Sequence, residues 1–563
     1  MKIFKTETYN LNIKNNNTNF KSKKILTKPV LTSKIDMFCK SKEGINILRN
    51  KFINIRESFS KKLYPAYLKS SRADWDFYIN STDENMNLSI KYNDEYQDLF
   101  KDENVYNELK KINPESLEKN EKRQLKNLLQ NFEEIISSGE DLKKLRDKET
   151  EIAQKYNSYI PMIDGKEVSK TEIAQILEKE KNVDLRKKAY EAKIKGGNLI
   201  AEDLRNFAII RNQYTLKKGF SNYFEYKLKD TYEVDLNELE ILLNDVYSKA
   251  KESLKRIITK KQNNLKKIFE INELKQYHYG LLTDDNPEKK VNEYLKDKEQ
   301  VVDISKTAYK GMGYDVDKLV QEGKLILDLF PRKGKNTHGF CFNIDAGLDT
   351  RILANLTNNC SSIDTLMHEL GHCVYTLGVS RELPFVEREE YPATTEAIAM
   401  MMGDLQKREN IFKTLIPTTL IDELKEKFVE DEMQFISRAM LIINFEKEMY
   451  KNPDQDLKKL WHDMRVKYAF ADENEELNNE WATIPHYLSH PAYYQNYFRA
   501  TVMKAQIYKS LTEKLGNITE NIQTAQYLKD NFFKYGLSLE ENELIENLTG
   551  KKLSVDDLIS YLS

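Results

Sequence analysis

The sequence predicts a mostly α-helical protein with one small sheet set into it, on three observations. Only 19 Gly and 12 Pro occur in 563 residues, too few for a fold built on many tight turns. Apolar residues recur at helical spacing through most of the chain. After Gly323 that period gives way to short apolar runs bounded by turn residues. An apolar fraction of 40% and an aromatic fraction of 10% supply a large core, which excludes global disorder.

Residues 1–35 carry eight Lys, six Asn and a single acidic residue, Glu7. They lack the apolar stretch of a secretory signal and the Arg that organellar import peptides favour, and read as a polar, partly disordered tail. Residues 36–320 read as an N-terminal helical lobe. Within it, Asn113-Pro114-Glu115 looks like an N-cap followed by Pro at the first helical position. Leu125, Leu128, Leu129, Phe132, Ile135 and Ile136 then repeat at helical spacing, until Ser137-Ser138-Gly139 ends the run. Gly311-Met312-Gly313 and Gly323 mark the change of texture. Leu325–Phe330 reads as a strand, Pro331–Asn336 as a turn and Gly339–Phe342 as a strand returning antiparallel to the first. Thr350–Asn355 reads as a third. After Ser361 the pattern is helical again, so residues 321–563 form the second lobe, with the sheet at its start.

Lys and Arg (88) nearly cancel Asp and Glu (90), and a net charge of −2 gives no electrostatic case for nucleic acid or an anionic membrane. No run of 18 apolar residues exists to span a bilayer. Cys39, Cys341, Cys360 and Cys373 are too scattered for a disulfide framework and form no CxxC pair. Cytoplasm is the default compartment; the oligomeric state is not legible.

The segment His368-Glu369-Leu370-Gly371-His372 stands apart. Ser361 or Ser362 can cap a helix whose apolar stripe runs Ile363, Leu366, Met367, Leu370, Val374 and Leu377, with Gly378 as the stop. On such a helix His368 and His372 share one face and can present both imidazoles to one Zn²⁺. Glu369, one step round, is placed to take a proton from the attacking water. Six of the seven histidines, all but His278, fall between residues 338 and 490. A catalytic zinc of this kind needs a third ligand. Thr394–Met402 reads as a buried helix with one carboxylate, Glu396, and a buried unpaired Glu needs a cation. Glu389 and Glu390 are rivals, but they sit in the polar stretch Glu387–Glu390, which reads as a solvated charge run. Lastly, Trp481–Phe498 packs four tyrosines and two histidines into a short stretch, a supply of donors for the oxyanion of peptide hydrolysis.

Together these stretches resemble a known family. Asp328–Cys341 is similar to the strand–turn–strand signature of the thimet oligopeptidase and oligopeptidase F family. Asp349-Thr350-Arg351-Ile352, the run Ser362–His372 and Glu396-Ala397-Ile398 resemble the related angiotensin-converting-enzyme family. Trp481 followed by Ile484-Pro485-His486-Tyr487 again resembles oligopeptidase F. These motifs cover about residues 325–404 and 481–506; the first 320 residues match only in being helical and of suitable length. The resemblance implies a large helical ellipsoid with a deep substrate channel and one zinc ion per chain. It implies His368, His372 and Glu396 as ligands and Glu369 as general base. Tyr497 matches the tyrosine that donates to the oxyanion and His486 the histidine that assists it, with His490 a competitor because the spacing to Tyr497 is one residue longer here. His338-Gly339-Phe340-Cys341 matches the edge strand on which the substrate backbone pairs, and Tyr494 joins it in binding substrate.

The implied activity is zinc-dependent hydrolysis of short, unstructured peptides. The alternatives are a dipeptidyl carboxypeptidase of converting-enzyme type and a peptide-binding relative without turnover. The converting-enzyme lysine for the substrate carboxylate falls near Ile484, which favours an oligoendopeptidase. Tyr494-Gln495-Asn496-Tyr497 lacks that family's Arg, so its chloride activation does not carry over. Met400 stands where that family has an aspartate one turn beyond the glutamate.

Overall fold

A computed structural model describes residues 42–136, 139–283 and 286–562. The expected polar tail and the Ser137-Ser138 stop lie outside them. The elements that matter for the site are helices α1 (Lys42–Ile79) and α2 (Val183–Leu216), strands β1 (Leu325–Asp328), β2 (Phe340–Asp345) and β3 (Asp349–Leu353), and helices α3 (Cys360–Gly378), α4 (Pro392–Arg408), α5 (Thr418–Lys451) and α6 (Tyr494–Leu515). The fold is mostly helical, as the spacing of apolar residues requires. Among the described residues no helix is long and apolar enough to cross a membrane. Asn113 does cap a turn, accepting the Glu115 N–H at 3.1 Å, but Pro114–Ser116 is a single 3₁₀ turn. Leu117 then goes extended, and the long helix spans Lys119–Ile136 with Leu125, Leu128 and Phe132 buried.

The three expected strands form, but their pairing differs from an antiparallel hairpin. The order is β1-β3-β2, with β1 parallel to β3 from Leu325↔Thr350 to Asp328↔Leu353, and β2 antiparallel to β3. The third strand takes the centre because it is the most deeply buried: Thr350, Ile352 and Leu353 are all at 0% exposure. A strand so placed must find partners for its backbone on both edges. The turn between β1 and β2 is held by Lys335, a buried cation that donates to the carbonyls of Asp328, Phe330 and Ala354 and pairs with the Asp328 carboxylate at 2.8 Å. α1 covers β2 with an aromatic face. Trp75 packs edge-on against Phe342, and Tyr78 against Phe340 and Phe342.

Two large cores flank the site. One gathers Leu325, Ile352, Ile363, Leu366 and Met402 around α3 and α4. The other holds Phe207, Phe445, Trp481 and Tyr487 beneath the segment that leads into α6. α6 contributes to both, Phe498 and Val502 to the second and Ala500 and Met503 to the first.

Candidate metal centre

α3 begins two or three residues earlier than the serines suggest. Asn359 is its cap, accepting the Ser362 N–H at 2.8 Å, while the Ser362 hydroxyl is taken by the Thr357 N–H at 2.9 Å. Gly378 is its last residue, as expected. Gly371 lies where α3 meets α4: a Cβ there would stand 2.7 Å from Ala399 Cα. This close approach brings Glu396, one turn before Ala399, to the two histidines. His372 Nε2 lies 3.2 Å from His368 Nε2, and Glu396 Oε2 lies 3.7 Å from His368 Nε2. One possible ligand atom from each of the three falls within 4.8 Å of the others.

The surroundings tune these groups. His372 Nδ1 meets the Thr395 hydroxyl at 2.8 Å, which fixes the ring and aims Nε2 at the shared point. Burial pulls His368 down to about 4 and His372 well below its ordinary range, so both imidazoles are neutral. Asp404, two turns beyond Glu396, opposes that shift at His368 and is itself paired with the buried Lys504 at 2.7 Å. Burial pushes Glu396 up to about 7. Glu369 is pushed up to about 8, by burial first and then by the negative charge of Glu396, while the Cys341 backbone N–H it accepts works in the other direction.

β2 enters the site directly above Glu369. A Cβ on Gly339 would lie 3.2 Å from Glu369 Oε1 and 3.1 Å from Thr365 Cγ2, so a larger residue would displace the carboxylate. The expected pairing edge is partly engaged already: the Cys341 N–H donates to Glu369, and the Asn343 carbonyl accepts from the Tyr67 hydroxyl at 3.0 Å. The Cys341 thiol is hydrogen-bonded to Cys373. Phe340 packs on Tyr78. His338 is exposed, with its ring 6.1 Å from that of Phe340.

Glu387–Glu390 is not a solvated run. Glu387 is 2% exposed and accepts from Gln124, and Glu390 is half-buried, with a carboxyl pushed up to about 7 by burial. The elements covering this stretch come from residues far away in sequence. Neither Glu389 nor Glu390 joins the histidines; Glu396 does.

The second wall of the site is made of rings. His486 packs against Tyr494 at 4.7 Å and Tyr497 at 6.3 Å between ring centres. Tyr493 and Tyr497 are 5.1 Å apart, one turn from each other on the same face. Burial raises both hydroxyls above their ordinary range, and the charge of Glu396 raises them further. Tyr493 is the residue that sequence reasoning passed over. Its signal was the four-residue spacing from Tyr497. His486 is pulled down to about 4 by burial, then by His490 and Arg438. His490 is exposed, 6.2 Å from Tyr493, and its Nδ1 meets the Ser489 hydroxyl at 2.8 Å.

A family model described as peptidase family M3 matches residues 176–563. Among curated proteins, the chain is 23% identical over 257 residues to oligopeptidase PepF of Bacillus subtilis, covering 42% of this chain and 37% of that one. It is 24% identical over 310 residues to the chromosomal oligoendopeptidase F of Lactococcus lactis, covering 50% and 48%. An oligoendopeptidase F homolog of Mycoplasma genitalium is 24% identical over 372 residues, covering 61% and 56%. The matched regions thus span between 37% and 56% of these relatives' own lengths.

Proposed function

Because the chain belongs to peptidase family M3, we propose that it is a zinc-dependent oligopeptidase that hydrolyses peptide bonds within short, unstructured peptides. The observation that carries this reading is the convergence of His368, His372 and Glu396, with Glu369 next in sequence to the first. Two neutral imidazole nitrogens and one carboxylate are the donor set of a catalytic zinc with a position left open. Glu396 also has the character of a group built for a cation, being a carboxyl raised by burial whose nearest ion-pair partner is a neutral histidine. Bound there, zinc would polarise the scissile carbonyl and make water nucleophilic at neutral pH.

The protein's own groups do the rest. Glu369, next in sequence to the first histidine, takes the proton of the attacking water and passes it to the leaving amine. Tyr493 and Tyr497 keep their hydroxyl protons at neutral pH and are donors for the carbonyl oxygen as it gains charge, with His486 behind them. The start of β2, around Gly339, offers backbone to an extended peptide. Only a chain without stable structure presents such a strand, which is why short peptides are the proposed substrates.

Glu369→Gln tests this reading. It leaves the three proposed ligands intact, so metal analysis should find about one zinc per chain, as in the parent, while hydrolysis of internally quenched peptides falls by at least about three orders of magnitude. Parent-like turnover by this variant would assign the proton transfer elsewhere.

A further inference from the structure

The rings of His486, Tyr493 and Tyr497 meet only if the segment between His486 and Tyr493 keeps its path, and that path is irregular. His486–Ser489 make one helical turn, His490 leaves it at φ −136, and Ala492 lies in the left-handed region at φ 58. That region is disfavoured for any residue with a Cβ. Ala492 is also 1% exposed, so no solvent contact favours the conformation.

Side chains from other elements grip this backbone. Arg211 on α2 donates from Nη1 to the Tyr487 carbonyl at 2.7 Å and from Nη2 to the Leu488 carbonyl. The Tyr232 hydroxyl donates to the Pro491 carbonyl at 3.3 Å. The Ala492 N–H donates to Glu446 Oε1 at 2.8 Å. Glu446, on α5, is 1% exposed. A buried carboxyl is costly even with the charges of Arg211 and Lys227 acting on it, and a hydrophobic residue of like volume would serve packing as well.

We propose that Glu446 is a positioning residue: by holding the Ala492 N–H, while Arg211 holds the carbonyls before it, it fixes the left-handed turn that sets the rings of Tyr493 and Tyr497 against each other, with His486 against Tyr497. The catalytic consequence rests on the reading of those tyrosines as donors; the placement of the turn does not. Burial pushes Glu446 up to about 8, so a neutral acceptor suffices and the amide of Gln is a fair substitute.

The test uses the full zinc-loaded chain and the variants Glu446→Gln, Glu446→Leu, Glu446→Leu with Ala492→Gly, and Tyr232→Phe. Each is read by kcat and KM on a quenched peptide, and by amide hydrogen exchange at residues 486–497 against residues 360–378. Glu446→Leu should lower kcat about 10- to 100-fold with KM changed less than about threefold, since a small misplacement of a donor has that cost. Its exchange should quicken about tenfold at 486–497 and stay constant at 360–378. Glu446→Gln should stay within about threefold of the parent in kcat, because its amide oxygen accepts the same bond. Adding Ala492→Gly to the Leu variant should restore part of kcat, because glycine takes φ 58 unaided.

A Leu variant with parental kcat and parental exchange overturns the proposal, as does a Gln variant as impaired as Leu. Should the Leu variant fail to fold, Glu446→Ala takes its place in each comparison; Tyr232→Phe, which leaves the Ala492 N–H bond intact, is the control and should keep kcat nearer the parent than either. A zinc-loaded parent that cleaves no peptide would refute the peptidase reading, while the exchange comparison would still decide the role of Glu446.

Discussion

Burial and the charge of Glu396 push Glu369, the proposed general base, up to about 8. The same burial has an unusual consequence for metal uptake. Histidines ordinarily compete with protons near their free value, but burial pulls His368 down to about 4, leaving it neutral at pH 6, and shifts His372 in the same direction. Glu396, up at about 7, still holds its proton there and must release it to bind a cation. Zinc affinity should therefore rise from about pH 5 to about pH 7, with about one proton or more released per ion at pH 6, from carboxyl and not imidazole. Calorimetric titration in buffers of different ionisation enthalpy measures this; an affinity flat across that range would contradict it. The tyrosines make a second prediction at this scale. Tyr497→Phe should lower kcat by about two to three orders of magnitude with KM little changed, as expected for a donor used mainly in the transition state. Tyr493→Phe, whose hydroxyl also feels the charge of Glu396, should lower kcat more than Tyr494→Phe, whose ring faces His486. Steady-state kinetics of the three variants rank them.

At the scale of elements, the crossing of α3 and α4 decides whether the three proposed ligands meet. Gly371→Ala puts a methyl 2.7 Å from the Ala399 backbone, so the helices must part. We expect a loss of about 2–3 kcal/mol in stability, together with at least about tenfold weaker zinc binding; denaturant titration and zinc competition measure the two. This crossing also shows what was legible beforehand. HExxH, the helix around Glu396 and the three strands could be read because spacing and period are local properties of the chain. The strand order could not, since it follows from how deeply Ile352 and Leu353 are buried by elements distant in sequence. For the same reason Glu387–Glu390 looked solvated: the covering Gln124 is 263 residues away. The cap was misread by two or three residues, because Asn359 and the serines all have capping chemistry and only the backbone path chooses among them. Lys335 gave no signal, as a lysine in a turn looks like any surface lysine until four oxygens are seen around it.

At the scale of the molecule, the family match begins at residue 176, yet part of the site's support lies before it. α1 covers β2: Tyr64 donates to Asp345 at 2.6 Å, Tyr67 to the Asn343 carbonyl, and Trp75 and Tyr78 shield Phe340 and Phe342. Without them β2 is an open edge with apolar rings on it, a template for association. A chain limited to residues 176–563 should therefore be recovered aggregated, and gel filtration beside the full chain checks it; a monodisperse, folded fragment would contradict the dependence. The two cores raise a different matter, because α6 serves as a wall of each. Phe498, Val502 and Ala505 belong to one, and Ala500, Met503 and Ile507 to the other. Either core, on melting, strips the other of a wall, so the part that holds the proposed ligands and the part that holds the rings should unfold together. Warming should therefore take the proposed metal site and its ring-lined wall together, and a thermal scan read at each should give one midpoint.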